Sequence, residues 1–148
     1  GKFHGLAGLR LGFALAMPRM VRRLEADMGP WAVSGPAQEI GARALGDQAW
    51  AAAERARLAG HMARLRGLLT DAGLGVVGGT DLFVLADHAN APALYDHLAG
   101  AGILVRRFQA NPSWLRFGLP GPEDQWQRLE KALSAFAGTA PVPGRRHG

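Results

Sequence analysis

A lysine and, eight positions later, an arginine stand on either side of a glycine-rich turn in the first twelve residues, GKFHGLAGLRLG. Lys2 supplies a primary amine and Arg10 supplies a guanidinium. Gly5 and Gly8 permit backbone conformations that other residues avoid, and they let a ligand approach the backbone closely. The turn can therefore present both cationic groups to one small anionic molecule. A guanidinium suits a phosphate because it donates two parallel hydrogen bonds.

The elements that must position these groups begin with an apolar run, Leu11 to Ala16, which stops shortly before Pro18. A short apolar run between a turn and a proline is typical of a buried strand. We therefore expect the turn with Lys2 and Arg10 to lead directly into a strand in the protein interior. The glycine spacing does not match the fingerprint of dinucleotide-binding proteins, so the pattern argues against a Rossmann fold.

The segment KFHGLAGLRLG, Lys2 to Gly12, resembles the cofactor-lysine segment of the fold-type I pyridoxal-phosphate enzymes, the class I/II aminotransferase family. The resemblance implies that Lys2 forms the Schiff base with pyridoxal 5'-phosphate and acts in catalysis. It also implies that Arg10 binds the phosphate of the cofactor. The similarity extends from Gly1 to about Ala137 and implies an α/β fold, the C-terminal portion of the pyridoxal-phosphate-dependent transferase fold.

Two further segments, GPWAVSGPAQ at Gly29–Gln38 and WLRFGLPG at Trp114–Gly121, are more similar to one branch of this family. That branch comprises the threonine-phosphate decarboxylases of cobalamin biosynthesis; the histidinol-phosphate aminotransferases come next. The resemblance implies decarboxylation of L-threonine O-3-phosphate to 1-aminopropan-2-yl phosphate. Two alternatives stay open, a histidinol-phosphate-type aminotransferase and a non-catalytic α/β binding module. The residues alone do not choose between decarboxylation and transamination.

Subunits of this family are more than twice as long as the 148 residues here, and their cofactor lysine lies in the second half. We therefore expect the chain to be the C-terminal part of a longer enzyme, homodimeric at full length and inactive as this portion alone. The resemblance divides the chain into the end of the large domain, a long connecting helix, a small α/β domain and a disordered tail. These are expected at residues 1–46, 47–73, 74–137 and 138–148.

The periodicity of apolar residues supports this division. Leucine and methionine recur at spacings of four, three and four over residues 58–69, which predicts a long helix that Asp47 caps and Gly73 ends. Beyond it, short apolar runs and apolar helix stripes predict a small sheet with helices packed on one of its faces. The predicted order is a strand at Leu82–Ala86, a helix at Ala91–Gly100, strands at Ile103–Val105 and Trp114–Leu119, and a helix from Pro122 to Ala137.

A second pair of arginines lies in the predicted small domain. Arg116 interrupts the apolar run Trp114–Leu119, and a charge on a buried strand is costly unless it has a partner. Arg106 follows the strand expected at Ile103–Val105. The resemblance implies that Arg116 binds the substrate carboxylate and that Arg106 binds acidic groups of the substrate. Arg107 is the alternative to Arg106, because neighbouring strand residues point in opposite directions.

Three other residues have two possible roles each. Trp31 either lines the active site, as the resemblance suggests, or packs as a structural aromatic residue. Ser34 is better suited to capping the helix that follows it than to lining the site. His4, two positions after Lys2, either lines the site or makes a structural hydrogen bond.

The amino-acid composition limits the classes of molecule that this chain is expected to bind. The net charge of +5 comes from 17 basic and 12 acidic residues, which are interspersed and have no aromatic residues between them to stack on bases. The sequence therefore favours a small phosphorylated amino acid as partner over nucleic acid. No apolar stretch approaches the roughly 18 residues of a membrane span. The histidine spacing predicts no metal site. The absence of cysteine suits a cytoplasmic enzyme.

Overall fold

The computed structural model describes residues 1–137 and divides the chain into two compact units, Gly1–Glu54 and a second that begins at Arg55. The expected disordered tail at residues 138–148 lies outside the described residues. The helices are α1 (Pro18–Met28), α2 (Gly35–Gly46), α3 (Gln48–Asp71), α4 (Ala91–Gly100) and α5 (Glu123–Ala137), with one 3-10 turn at Ala7–Leu9. The strands are β1 (Gly75–Thr80), β2 (Phe83–Asp87), β3 (Arg106–Arg107) and β4 (Trp114–Gly118). The α/β fold class is confirmed.

The second unit is built on a four-stranded antiparallel sheet in the order β1-β2-β4-β3. Its core lies on one face of that sheet, because alternate residues of β2 and β4 point to the same side. Helices α3, α4 and α5 cover this face, and the largest fully buried side chain is Trp126. The buried residues that form this core cluster are Met62, Leu65, Leu69, Leu74, Val84, Ala86, Ala91, Leu94, Leu98, Leu115, Phe117, Trp126, Leu129, Ala132 and Leu133.

The long predicted helix forms as α3, with the ends that its capping residues predict. The Asp47 carboxylate accepts a hydrogen bond of 2.9 Å from the backbone N–H of Trp50, which satisfies one of the free donors at the helix start. At the other end Gly73 has φ +83°. Leu74 then donates to the carbonyl of Leu69 at 2.9 Å, the bond that closes a helix after a left-handed glycine. The role of α3 as a connector between domains stays a prediction.

An exposed ion pair joins α3 to α5. Both terminal nitrogens of Arg64 donate to the Glu123 carboxylate, at 2.7 and 2.6 Å. This hydrogen-bonded contact lowers the pKa of Glu123 and raises that of Arg64. The Arg64 guanidinium also lies 4.4 Å from the centre of the Trp126 ring, so the pair covers one edge of the core. Since the folded pKa of Glu123 is depressed, its stabilising contribution is lost as the pH falls through the range where glutamate is protonated.

The expectation of a buried strand at Leu11–Ala16 is wrong. The segment forms no strand, and the side chains of Phe13 and Leu15 are 72% and 100% exposed. A strand needs a neighbour for its backbone groups, and the described residues of the first unit contain no strand that could pair with it. An apolar run alone therefore does not make a strand within Gly1–Glu54.

Two strand assignments in the second unit also need correction. Ile103–Val105 is not a strand, because the backbone N–H of Ile103 donates to Leu98 at 2.8 Å and so belongs to the closing turn of α4. The third strand, β3, begins three residues later, at Arg106. The sequence pattern also missed β1, which contains three glycines and exposes most of its residues, so that it lacks an apolar alternation. None of the described helices is both long and apolar enough to span a membrane.

We predict that Gly79→Ala lowers the free energy of unfolding by more than about 1 kcal/mol. Gly79 has φ +156°, and a Cβ atom there would lie 2.4 Å from the carbonyl oxygen of Phe83 and 2.9 Å from Cα of Val84. Both atoms are backbone in the paired strand β2, so they cannot move without separating β1 from β2. The measurement is urea unfolding followed by tryptophan fluorescence.

Gly78→Ala is the matched control, because a Cβ atom at Gly78 meets nothing within 4 Å. Alanine restricts the unfolded chain more than glycine does, so this neighbouring substitution should leave the stability unchanged or raise it slightly. Equal destabilisation by the two substitutions would contradict the steric explanation.

Candidate functional site

Two residues with positive φ shape the turn that carries Lys2 and Arg10. The backbone N–H of Gly5 donates to the Lys2 carbonyl at 3.1 Å, and Gly5 has φ +65°. After the 3-10 turn, Arg10 has φ +55° and is the one described non-glycine residue in the left-handed region. A non-glycine residue in that region is strained, and such strain concentrates at functional sites. No feature of the sequence indicates this strain, since arginine is not a residue that favours positive φ.

Both cationic groups on this turn are exposed to solvent. One N–H of the Arg10 guanidinium donates to the carbonyl of Ala7 at 3.2 Å. A guanidinium carries five donors, so most remain available to an anion. An accessible amine and a guanidinium with free donors are the groups that an aldehyde-bearing phosphate ester requires. The donor set of the turn therefore fits pyridoxal phosphate.

Lysines are scarce in this chain, which makes the assignment of the amine testable. The sequence contains two, Lys2 and Lys131. Lys131 lies on the exposed surface of α5, in the second unit, and no arginine within the described part of α5 other than Arg128 accompanies it. Lys2 is therefore the lysine that shares a turn with an exposed guanidinium, that of Arg10.

Three aromatic rings pack together beside this turn. The imidazole of His4 stacks on the indole of Trp50, with ring centres 5.3 Å apart and planes 18° from parallel. Phe3 meets both rings edge-on, at 5.0 Å from His4 and 5.5 Å from Trp50. A pair of aromatic rings in such contact contributes about 0.5–1.5 kcal/mol beyond its buried area. His4 is thus in a ring cluster rather than in the structural hydrogen bond considered from the sequence.

In the second unit, Arg106 and Arg116 lie directly opposite each other on adjacent strands β3 and β4. Residues opposite each other in an antiparallel pair project from the same face of the sheet. This face is the one turned away from the core, because Leu115 and Phe117 on either side of Arg116 are buried. Arg116 is therefore half-buried on the open face, and the idea of a charge inside a buried strand needs correction.

Each of these two guanidinium groups lies over an aromatic ring. Arg116 lies 5.1 Å from the ring centre of Phe83, and Arg106 lies 5.4 Å from that of Phe108. The rings shield one side of each guanidinium from water and restrict its position. Arg107 projects to the opposite face, where it lies over Tyr95 of α4 at 4.9 Å. The sheet register thus places Arg106, and not Arg107, on the same face as Arg116, and the role of Arg106 in substrate binding stays a prediction.

The structure also shows the surroundings of Ser34 and Trp31, the other candidates from the sequence. Ser34 caps α2, since its hydroxyl oxygen accepts a hydrogen bond of 3.3 Å from the N–H of Ala37. Trp31 is 90% exposed and does not pack as a structural aromatic within its unit. Within residues 1–137, no three acidic or histidine side chains cluster closely enough to hold a metal ion. Lys2 lies with Arg10 in the first unit, and Arg106 lies with Arg116 in the second.

Comparison with known proteins gives three concordant matches. A model of the family "Aminotransferase class I and II" matches residues 1–135. The chain is 43% identical to threonine-phosphate decarboxylase of Pseudomonas aeruginosa over 136 residues, which cover 92% of this chain and 41% of that protein. It is 46% identical to threonine-phosphate decarboxylase of a Sinorhizobium species, over 90% of this chain and 40% of that one.

Other relatives carry a different name. The chain is 34% identical to histidinol-phosphate aminotransferase of Granulibacter bethesdensis, over 95% of this chain and 39% of that protein. Among solved structures, histidinol-phosphate aminotransferase of Sinorhizobium meliloti in complex with pyridoxal-5'-phosphate superposes with a TM-score of 0.81 at 23% identity. The match covers 93% of this chain and 39% of that one. The chain thus spans about two fifths of the length of the relatives it matches.

We predict that Arg106→Gln raises the free energy of unfolding at low ionic strength by about 0.2–1 kcal/mol. Arg106 and Arg116 are like charges directly opposite each other on one face, an arrangement that destabilises a sheet. Inorganic phosphate should reduce the difference in the free energy of unfolding between the variant and the unmodified chain, because an anion between the two arginines offsets their repulsion. Urea unfolding with and without phosphate, at matched ionic strength, measures both effects.

Arg107→Gln is the control on the opposite face of the same strand. It removes the contact over Tyr95 and no opposing charge, so it should lower stability and leave the phosphate response intact. A loss of stability in Arg106→Gln as large as that in Arg107→Gln would contradict the arrangement described for the open face.

Proposed function

The chain belongs to the aminotransferase class I and II family, and from this premise we propose that it is part of a pyridoxal-phosphate-dependent lyase. The proposed reaction is decarboxylation of L-threonine O-3-phosphate to 1-aminopropan-2-yl phosphate, a step of cobalamin biosynthesis. The observation that carries this proposal is the difference in identity between two groups of relatives. It is 43% and 46% for the two threonine-phosphate decarboxylases, against 34% for the histidinol-phosphate aminotransferase of Granulibacter bethesdensis.

Family membership and the cofactor in the Sinorhizobium meliloti structure support pyridoxal 5'-phosphate as the cofactor. Lys2 would hold it through the amine, and Arg10 would bind its phosphate through guanidinium donors that the bond to Ala7 leaves available. When bound, this cofactor supplies an electron sink for bond cleavage at the substrate α-carbon. The strained backbone at Arg10 is consistent with a guanidinium that is held ready for the phosphate.

The residues of this chain would divide the remaining work between binding and proton transfer. A phosphorylated amino acid carries a carboxylate and a phosphate, and the open face of the second unit offers two guanidinium groups side by side. We assign the carboxylate to Arg116 and acidic groups of the substrate to Arg106. When the bond to the carboxylate breaks, carbon dioxide leaves and the electron pair of that bond stays with the α-carbon. Nζ of Lys2 would then deliver a proton to that carbon.

A histidinol-phosphate-type aminotransferase is the second candidate. It is favoured by the 34% identity to histidinol-phosphate aminotransferase of Granulibacter bethesdensis over 95% of this chain. In this reaction Nζ of Lys2 would accept a proton from the α-carbon rather than deliver one. The same four basic residues serve both reactions, so the difference between the candidates lies in which bond of the substrate is cleaved.

The proposal concerns a protein longer than this chain, since the relatives are more than twice its length. We propose that the remaining parts of the cofactor site come from that additional sequence, in a cytoplasmic homodimer. The 148 residues alone would then be inactive and bind the cofactor weakly or not at all. A chimera supplies the additional sequence for an experiment: this chain replaces the segment that it matches in the Pseudomonas aeruginosa enzyme.

We predict that borohydride reduction of this chimera with pyridoxal phosphate leaves the pyridoxyl label on the peptide that contains Lys2. Lys2→Arg should abolish the label on that peptide and lower turnover of L-threonine O-3-phosphate by about 10²–10⁴-fold, the usual contribution of a residue that transfers a proton. Arginine keeps the positive charge but its guanidinium does not form the covalent link. Peptide mass spectrometry and product analysis are the two measurements.

Lys131→Arg is the matched control, because it makes the same substitution at the other lysine of this chain. Label and turnover should both persist in this variant. A label that stays in place after Lys2→Arg would show that another lysine holds the cofactor. The absence of any label in the unmodified chimera, with the chimera folded, would favour a non-catalytic binding module.

A further inference from the structure

We propose that Trp50, acting through His4, is a positioning residue for the Lys2 amine. This inference rests on the proposed function, in which Lys2 holds the cofactor. It starts from the ring cluster of Phe3, His4 and Trp50, which joins the two residues directly after Lys2 to the first turn of α3. The cluster lies entirely within the first unit.

Trp50 is a fixed point because its own backbone is held by the start of α3. Its N–H donates to the Asp47 carboxylate at 2.9 Å, and the next residue, Ala51, is 6% exposed. A side chain on a helix is placed more reliably than a side chain on a loop. The indole therefore presents a stable surface, and His4 stacks on it with nearly parallel planes.

The turn that carries Lys2 needs such support. Its internal backbone hydrogen bond, from Gly5 to the Lys2 carbonyl, joins two residues that are both exposed to solvent. Water competes for an exposed hydrogen bond, and glycine adds conformational freedom. Phe3 and His4 are half-buried by their contacts with each other and with Trp50. These rings thus fix the backbone from which the Lys2 side chain starts.

The position of the Lys2 amine depends on the backbone of the turn that carries it. The four-carbon side chain of lysine is flexible, so the position of its amine depends on a well-defined backbone. A displacement of about 1 Å at a reacting group can lower a rate about 10²-fold. Loss of the indole surface should therefore weaken capture of the cofactor by Lys2 without removing any group that reacts.

The first test uses the 148-residue chain and backbone ¹⁵N relaxation of Phe3, His4 and Gly5. We expect order parameters near the rigid value of about 0.85 in the unmodified chain, and below about 0.6 in Trp50→Ala. Trp50→Phe keeps a ring against His4 and should restore the rigid values. Trp50→Leu keeps an apolar helix-forming residue without a ring and should behave like Trp50→Ala. If circular dichroism shows that Trp50→Ala loses helix content, the comparison between Trp50→Leu and Trp50→Phe shows whether the ring is needed.

The second test measures a property that rigidity alone does not report. In the chimera, the pyridoxal phosphate concentration for half-maximal labelling of Lys2 should rise about 10- to 100-fold in Trp50→Leu. In Trp50→Phe this concentration should stay within about threefold of the unmodified value. The corresponding free-energy change is less than half of the change that a tenfold difference represents. The peptide that contains Lys131, which should carry no label, provides the internal reference for the amount of protein in each sample.

The outcomes separate the two hypotheses. A label on Lys2 with the same half-maximal concentration in Trp50→Leu overturns the positioning role and leaves the proposed function in place. Unchanged order parameters in Trp50→Leu also overturn it. A label on a lysine other than Lys2 in the unmodified chimera overturns the proposed function, and the positioning role falls with it.

Discussion

The alternation of side chains along β4 decides where the charges of the second unit lie. Leu115 and Phe117 must both point into the core, because that is where their apolar surface is removed from water. Arg116 between them then has one direction left, the open face of the sheet. The register with β3 places Arg106 on the same face and Arg107 on the other. An apolar requirement on one side of the sheet thus produces a pair of guanidinium groups on the other side.

A comparable dependence holds in the first unit, where the start of a helix supports the turn that carries Lys2. The start of α3 is fixed by the Asp47 cap, and it carries Trp50, against which the rings next to Lys2 pack. Arg10 completes the turn in a strained backbone conformation. Its guanidinium donates a hydrogen bond to the carbonyl of Ala7. In both units the apolar contacts fix the backbone, and the basic groups occupy the positions that remain exposed.

Helices and their ends could be predicted from the sequence because their signals are local. Asp47, Ser34 and Gly73 act within one helical turn of their own positions, and each has the predicted role. Strands were harder, since a strand exists only with a neighbour. The apolar run Leu11–Ala16 has no such neighbour among the described residues of its unit, and the glycine-rich β1 forms because β2 lies beside it.

The same distinction applies to the candidate site. Lys2 and Arg10 are close in sequence, so their shared turn could be predicted, and the resemblance to a family supplied their roles. The contact of His4 with Trp50 joins residues from two elements, and no periodicity in the sequence indicates it. The cation–π contacts of Arg106 and Arg116 likewise depend on sheet register, which sequence patterns leave undetermined here because β3 has two residues.

Product analysis of the chimera with L-threonine O-3-phosphate is the measurement that separates decarboxylation from transamination. We expect release of carbon dioxide and formation of 1-aminopropan-2-yl phosphate, with no requirement for 2-oxoglutarate. Failure to release carbon dioxide, together with 2-oxoglutarate-dependent conversion of histidinol phosphate, would contradict this expectation and identify the chain as part of an aminotransferase.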